Sequence, residues 1–433
     1  MPYKEKAFNI TKIMRRSREV IEKEGFRALL KRIMEKVTKR EFGISNSVIP
    51  QTDTQAAHDN TKTGLSTEFG VNLAGYFTGR LGIGASSRAF GDVLEIGDIP
   101  HVLNNLRDKF EPFRVDYTFA SNNPYPVNII HANADATEFV FRDTKYVRGK
   151  YNIGIWYWEL SEFPKRFALA LRLVDEIWAT STFIADTLAK VSSAPVVKIT
   201  YPLIMPRRIP TYTESRNRFD FMKDKFVFVF AFDFRSVLQR KNPMGLIGAF
   251  RKAFSETDNV MLVINQINSQ KDENSAKSLV EATNGFPIKI IDGPLSSVDY
   301  LAFLAASDCY VSLHRSEGLG IPLAEAMYLG KPVIATGYSG NLDFMNTNNS
   351  LLVKYQLKQL NRTYYPYERG SVWAEPDEND AARLMRWLYE HREEAKELGD
   401  RASLDVRKSL DPRKSAAEIR DRLELVFKKI STR

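Results

Sequence analysis

From about residue 70 onward, short apolar runs alternate with stretches whose apolar residues recur at helical spacing. Runs at 71–76, 127–131, 151–156, 176–179 and 197–201 read as strands with helices between them, the first near 85–94. A second series at 226–232, 260–265, 288–291, 309–313 and 333–335 alternates with helices near 243–254, 272–284, 298–306 and 321–329. Strands separated by helices in this rhythm predict parallel sheets covered on both faces. The stretch 205–223, broken by prolines and charges, reads as the linker between the two series. The expectation is an α/β chain of two Rossmann-like domains in tandem, 67–207 and 208–405. Residues 378–431 read as helical, with 406–433 as a closing helix.

The first 66 residues follow another pattern. Residues 8–40 read as a helix in which Phe26, Leu29, Leu30, Ile33 and Val37 recur at helical spacing among Lys and Arg. Residues 44–66 are polar and read as a linker or long loop. Composition matters here mainly through charge. The chain carries a net charge of +9, and residues 1–40 hold 13 Lys/Arg against five Glu, which is eight of those nine charges. A basic helix of this kind suits an anionic membrane surface, or packs its apolar face on the protein's own body or a second subunit. The rest is close to neutral, which argues against a uniformly basic nucleic-acid binder. A single cysteine, Cys309, excludes an internal disulfide and a cysteine zinc cluster. No apolar run of about 18 residues suggests a membrane span, and no secretory leader is read at the N-terminus. The expected setting is cytoplasmic, with peripheral attachment to the membrane's inner face if the basic helix binds lipid.

The chemistry concentrates at 314–327, HRSEGLGIPLAEAM. A strand ends just before it, Gly318 and Gly320 make a tight loop, and Pro322 suits the first turn of a helix. Ligands of open α/β sheets bind at this edge, and the exposed amides of a helix start suit a diphosphate. Glu317 and Glu325 frame the loop. Carboxylates in such a place bind sugar or ribose hydroxyls; by spacing alone they are equally a loop charge and a helix-surface charge.

Ser316-Glu317-Gly318, Pro322, Glu325-Ala326-Met327, Gly330 and Pro332-Val333-Ile334-Ala335-Thr336 together resemble the E-x7-E signature of family 4 glycosyltransferases, which have the GT-B fold: two Rossmann-like domains facing across a cleft. The resemblance extends over roughly residues 70–430 and is strongest in the C-terminal half. It implies that Glu325 holds the nucleotide ribose, that Glu317 contacts the donor sugar, and that the amides around Gly318 and Leu319, in the loop closed by Gly320, cradle the phosphates. It also implies that Lys241, with Arg235 or Arg240, neutralises the departing diphosphate, although Phe234 stands where the common pattern has glycine. Asp292-Gly293 falls where the family places base contacts; Asp292 selects guanine or caps the following helix.

In the first domain, Gly79 to Arg88 would need a glycine at 87 to complete a dinucleotide fingerprint, and Ser87 stands there. By resemblance, Gly82 and Gly84 let this loop approach the donor phosphates, and Arg88 is a phosphate contact or a surface charge. His131 and Asn133 fit the two polar places of a His-x-His motif near the reacting sugar. Trp158 and Glu159 fit an acceptor platform of an aromatic face and a carboxylate, or else ordinary core tryptophan with a helix cap. The resemblance implies a retaining, metal-independent hexosyltransferase with no cofactor. Its donor is GDP- or UDP-linked, mannose being one such sugar, and its acceptor is a glycan or lipid-linked molecule of surface polysaccharide biosynthesis. A homo-oligomer is compatible with this. Other readings are a sugar-nucleotide epimerase, a non-catalytic nucleotide-sugar-binding protein of the same fold, and an NAD-dependent dehydrogenase, which the missing third glycine disfavours.

Overall fold

The computed structural model describes residues 68–79, 82–106 and 115–432. The basic extension read at 8–40 and its linker lie outside the described residues, as do Arg80 and Leu81 of the first glycine loop.

The first domain is a six-stranded parallel sheet in the order β2-β1-β3-β4-β5-β6. Its strands are β1 (Val71–Gly75), β2 (His101–Asn105), β3 (Val127–His131), β4 (Tyr151–Ile155), β5 (Glu176–Ala179) and β6 (Val196–Lys198). Helix α1 (Gly82–Ile96) follows β1, α2 (Ala134–Val140) and α3 (Thr144–Val147) follow β3, and α4 (Thr182–Ala189) follows β5. Strands β1, β3, β4 and β5 are buried along their whole length, as parallel strands covered on both faces must be.

The second domain repeats the plan in the order β12-β11-β10-β7-β8-β9. Its strands are β7 (Phe226–Asp233), β8 (Val260–Ile267), β9 (Ile288–Asp292), β10 (Cys309–Ser312), β11 (Val333–Thr336) and β12 (Leu351–Val353). The stretch read as a linker carries a helix, α5 (Tyr212–Arg218), which opens on a capping box between Thr211 and Glu214. Its Arg216 is buried against Asp308 at 2.6 Å and against the carbonyls of Met222 and Lys225, so much of this connection is packed structure. Helices α6 (Leu238–Lys241) and α7 (Pro243–Ala253) follow β7, α8 (Glu273–Ala282) follows β8, α9 (Ser297–Ala305) precedes β10, and α10 (Ile321–Tyr328) precedes β11.

A hairpin of β13 (Tyr355–Gln359) and β14 (Val372–Pro376) then leaves the second domain. Leu360, Tyr367 and Trp373 join Trp156, Trp158, Phe167 and Ile184 of the first domain in one core cluster. Helices α11 (Glu378–Glu390), α12 (Arg392–Ser409) and α13 (Pro412–Ser431) complete the chain. The closing helix is interrupted at Leu410–Asp411, because Asp411 caps α13 and Pro412 starts it. Helix α13 lies on the first domain: Arg422 pairs with buried Glu176 at 2.6 Å, Glu418 accepts from the Thr200 amide at 2.7 Å, and the Phe427 ring meets that of Phe69 at 4.8 Å, tilted by 47°. Two parallel Rossmann-like sheets facing each other bear out the expected α/β, GT-B architecture. Among the described residues no helix is long and apolar enough to cross a membrane.

Candidate functional site

Each sheet has a point where its winding direction reverses, and loops leaving the two strands there diverge to leave a crevice. In the second sheet the reversal lies between β7 and β10, paired at Phe228–Cys309 and Val229–Tyr310. The loop after β7 carries Arg235, Arg240 and Lys241, and the loop after β10 carries 314–320. Topology therefore brings together groups 76 residues apart: Lys241 Nζ lies 2.5 Å from Glu317 Oε1, and Arg240 Nη1 lies 3.1 Å from Glu317 Oε2. Glu317 is 9% exposed. Burial alone would raise its pKa, but Lys241 and Arg240 outweigh it and hold the carboxylate ionised, well below its usual range.

The two arginine candidates differ in placement. Arg240 is buried and donates to the Ser316 carbonyl at 2.7 Å, so it fixes the loop that carries Glu317 rather than standing open to a diphosphate. Arg235 is half-buried on the turn after β7, where its amide donates to Asp233 Oδ1 at 2.8 Å. Asn242 follows Lys241 with φ +55° and caps α7 through its side-chain oxygen, while its amide donates to the Leu313 carbonyl at 2.9 Å.

The loop 316–320 is buried as a unit. Gly320 caps α10 at φ +93°, a conformation that favours glycine. A side chain on Gly340 would come within 1.9 Å of the Gly318 carbonyl, so two backbones touch there. Ser339 accepts from the Glu317 amide at 2.8 Å. The first domain also reaches this loop: Ser181 donates to the Gly318 carbonyl at 2.6 Å, and Ser316 donates to the Glu159 carbonyl. Leu319 is buried beside them. Glu325, one turn into α10, accepts from the Tyr300 hydroxyl at 3.0 Å, and burial pushes its pKa up to about 7. His314 is wholly buried with neither ring nitrogen hydrogen-bonded among the described residues, and burial drives its pKa down to about 4.

In the first sheet the reversal lies between β1 and β3, where Gly75 pairs with His131. His131 is wholly buried, with Ser86 Oγ 3.0 Å from Nε2 and Ser87 Oγ 3.0 Å from Nδ1. Ser87 accepts from the Tyr76 amide and donates to the Ile83 carbonyl at 2.9 Å, so its hydroxyl hydrogen is used. This hydrogen-bond pattern assigns the proton to His131 Nδ1 and leaves Nε2 to accept from Ser86, which lies 2.5 Å from the Tyr157 hydroxyl. Burial lowers the His131 pKa to about 4, so the ring is neutral. The serine that replaces the third fingerprint glycine thus holds this histidine. Asn133 is half-buried, and its side-chain oxygen accepts from the Tyr157 amide at 2.9 Å.

Other expected residues serve the scaffold. Arg88 donates to the carbonyls of Phe77 and Gly79 at 2.7 and 2.9 Å, closing the first glycine loop. Gly84 is needed because a side chain there would meet the Gly79 carbonyl, whereas Gly82 is exposed with open space around it. Trp158 is 5% exposed, donates to the Glu162 carbonyl and packs on Phe163, Phe167 and Tyr367, so the aromatic platform is a core tryptophan with no face for a sugar. Glu159 accepts from the Tyr367 hydroxyl at 2.8 Å and lies 3.9 Å from Arg240. Asp292 is exposed and accepts from Ser269; the cap of α9 is Ser296, which removes the capping alternative. Gly293 adopts φ +121° beside it. Sequence reasoning missed Tyr300, Ser339 and Tyr367. Only Ser339 carried a signal, a Ser-Gly pair directly after a strand.

Residues 212–405 match the family model described as glycosyl transferases group 1. Trehalose synthase of Pyrococcus horikoshii is 24% identical over 175 residues, 39% of this chain and 37% of that protein. The chain thus aligns with just over a third of the length of such curated relatives. Among solved structures, sucrose-phosphate synthase of Thermosynechococcus elongatus superposes with a TM-score of 0.63 at 12% identity, covering 84% of this chain and 100% of that one. HepE of Anabaena, solved with UDP and glucose, gives 0.61 at 13%, covering 82% and 100%. At these identities the structures speak for the fold. The resemblance to GT-B glycosyltransferases stated from the sequence holds.

Proposed function

We propose that this chain is a glycosyltransferase that takes a hexose from a nucleoside-diphosphate sugar. The carrying observation is that Lys241, Arg240 and Glu317 meet at the reversal point of the second sheet, beside the glycine loop and the start of α10. A helix start and a lysine are what a departing diphosphate needs, and Arg240 holds the loop that carries Glu317 beside them. The match of this domain to group 1 glycosyl transferases supports the reading, as does the UDP bound in the HepE structure. In this reading Glu325 binds the ribose hydroxyls through the oxygen that Tyr300 does not hold. Lys241 meets the diphosphate, with Arg235 on the turn beside it. Glu317, held ionised, contacts the sugar.

The reaction is proposed to retain configuration without a metal, as in family 4. The acceptor hydroxyl bonds to the anomeric carbon on the face from which the nucleoside diphosphate leaves, and a phosphate oxygen of the leaving group takes its proton. The protein then contributes positioning and fixed charge. The acceptor is a hydroxyl-bearing glycan or glycan-lipid.

A panel of UDP-, GDP- and ADP-sugars, read by release of the nucleoside diphosphate, tests this. Lys241→Ala is expected to lower turnover about 10²- to 10³-fold with binding largely kept. Glu325→Ala is expected to weaken donor binding about tenfold or more. Wild-type rates and affinities in both variants would sink the assignment, and no release with any sugar nucleotide would favour a binding protein of the same fold.

A further inference from the structure

The β13–β14 hairpin has no counterpart in the strand–helix alternation, yet it brings one hydroxyl from the second domain onto a carboxylate of the first. Tyr367, between the two strands, is 3% exposed and packs edge-on to Trp158 at 5.4 Å. Its hydroxyl donates to Glu159 Oε2 at 2.8 Å. Glu159 is held at its backbone too, since its carbonyl accepts from Ser316 of the glycine loop. The carboxylate is thus fixed from the second domain although it belongs to the first.

The other oxygen differs. Glu159 Oε1 accepts no hydrogen bond among the described residues, and the nearest cation, Arg240 Nη2, stands 3.9 Å away, beyond hydrogen-bond reach. The side chain retains 24% exposure, so solvent or a ligand reaches it. Arg240 is already committed to the Ser316 carbonyl and to Glu317. A carboxylate oxygen with unused lone pairs, on a side chain that is three-quarters buried and shares Arg240 with Glu317, is an acceptor seeking an O–H or N–H donor.

We propose that Tyr367 is a positioning residue that turns Glu159 so that Oε1 takes a hydroxyl of the acceptor sugar beside Glu317. This rests on the transferase reading above. Tyr367 carries the specificity of the acceptor side without touching the donor, which the β7 and β10 loops hold. Glu159 then binds a polyol rather than an apolar or cationic group, since Arg240 beside it screens its charge.

The test uses the full chain, UDP-glucose as donor, and the methyl α-glycosides of glucose, galactose, mannose and N-acetylglucosamine as acceptor probes. Hydrolysis of the donor without any acceptor reads the transferase site by itself. In Tyr367→Phe, which keeps the ring and its packing, the KM for the accepted glycoside is expected to rise at least fivefold while the donor KM and the acceptor-free hydrolysis rate stay at wild-type values. Glu159→Gln is expected to raise the glycoside KM at least as much. An unchanged glycoside KM in Tyr367→Phe overturns the proposal, as does a donor KM that rises in step with it. A wild-type chain that hydrolyses the donor and transfers to none of the four glycosides also overturns it.

Discussion

At the scale of single residues, burial decides which form each ionisable group takes. Glu317 and Glu325 lie eight positions apart in one motif, yet two cations hold the first ionised while burial raises the second to about 7. A carboxyl whose pKa is raised in the fold stabilises it fully below the unfolded value near 4.5, and that contribution is lost as pH rises through about 7. Glu325→Gln is therefore expected to be more stable than wild type at pH 8, by about 1 kcal/mol after allowing for the solvent contact of a half-buried side chain, with the advantage gone at pH 4.5. Urea unfolding at both values checks this; a constant difference would refute it. The motif showed that two carboxylates frame the loop. It did not show their different charge states, which depend on Lys241, Arg240 and Tyr300 from other loops.

At the scale of elements, the strand–loop–helix rhythm was legible because parallel strands buried on both faces are continuously apolar, as in Phe226–Asp233. Strands β2, β12, β13 and β14 were not. Strand β2 ends in two asparagines, one of which, Asn104, donates to backbone carbonyls at 2.9 and 3.0 Å. Strand β13 is exposed throughout, so nothing in its pattern marks a buried face. Tyr367 lies in the long connection of that hairpin and gave no sign of reaching Glu159. The turn at Asn242 shows what joins element to site. It ends α6, starts α7 and fixes Lys241 one residue earlier. Asn242→Ala loses the cap and puts an alanine at φ +55°, an expected cost of about 2 kcal/mol. Turnover should fall as well, because Lys241 loses its fixed approach to Glu317. A stable variant with full turnover would show that the turn does not aim the lysine.

At the scale of the whole molecule, the chain crosses between domains more than once. The carboxylate of Glu176, inside the first sheet, accepts from Trp178 at 2.7 Å, from Tyr151 at 3.1 Å and from both prongs of Arg422 on α13. Its burial is tolerable because those donors satisfy it. Arg422→Ala is expected to cost about 3–5 kcal/mol, because a buried charge loses its partner. Arg422→Lys should recover only part, lacking the fork. Melting curves of the two variants check this, and equal loss in both would place the effect in packing instead.

The return of α13 also bears on how the gene can be divided. The last twenty or so codons specify a layer of the body that the first half of the gene begins. A fragment ending near residue 207 would carry the first sheet with Glu176 stripped of its counterion and Phe69 stripped of its ring contact. The two halves of this polypeptide are therefore not interchangeable modules. A natural shuffling event that replaced the second half would have to bring along a C-terminal helix complementary to the first, which ties the first domain and the chain's final segment into one unit of inheritance.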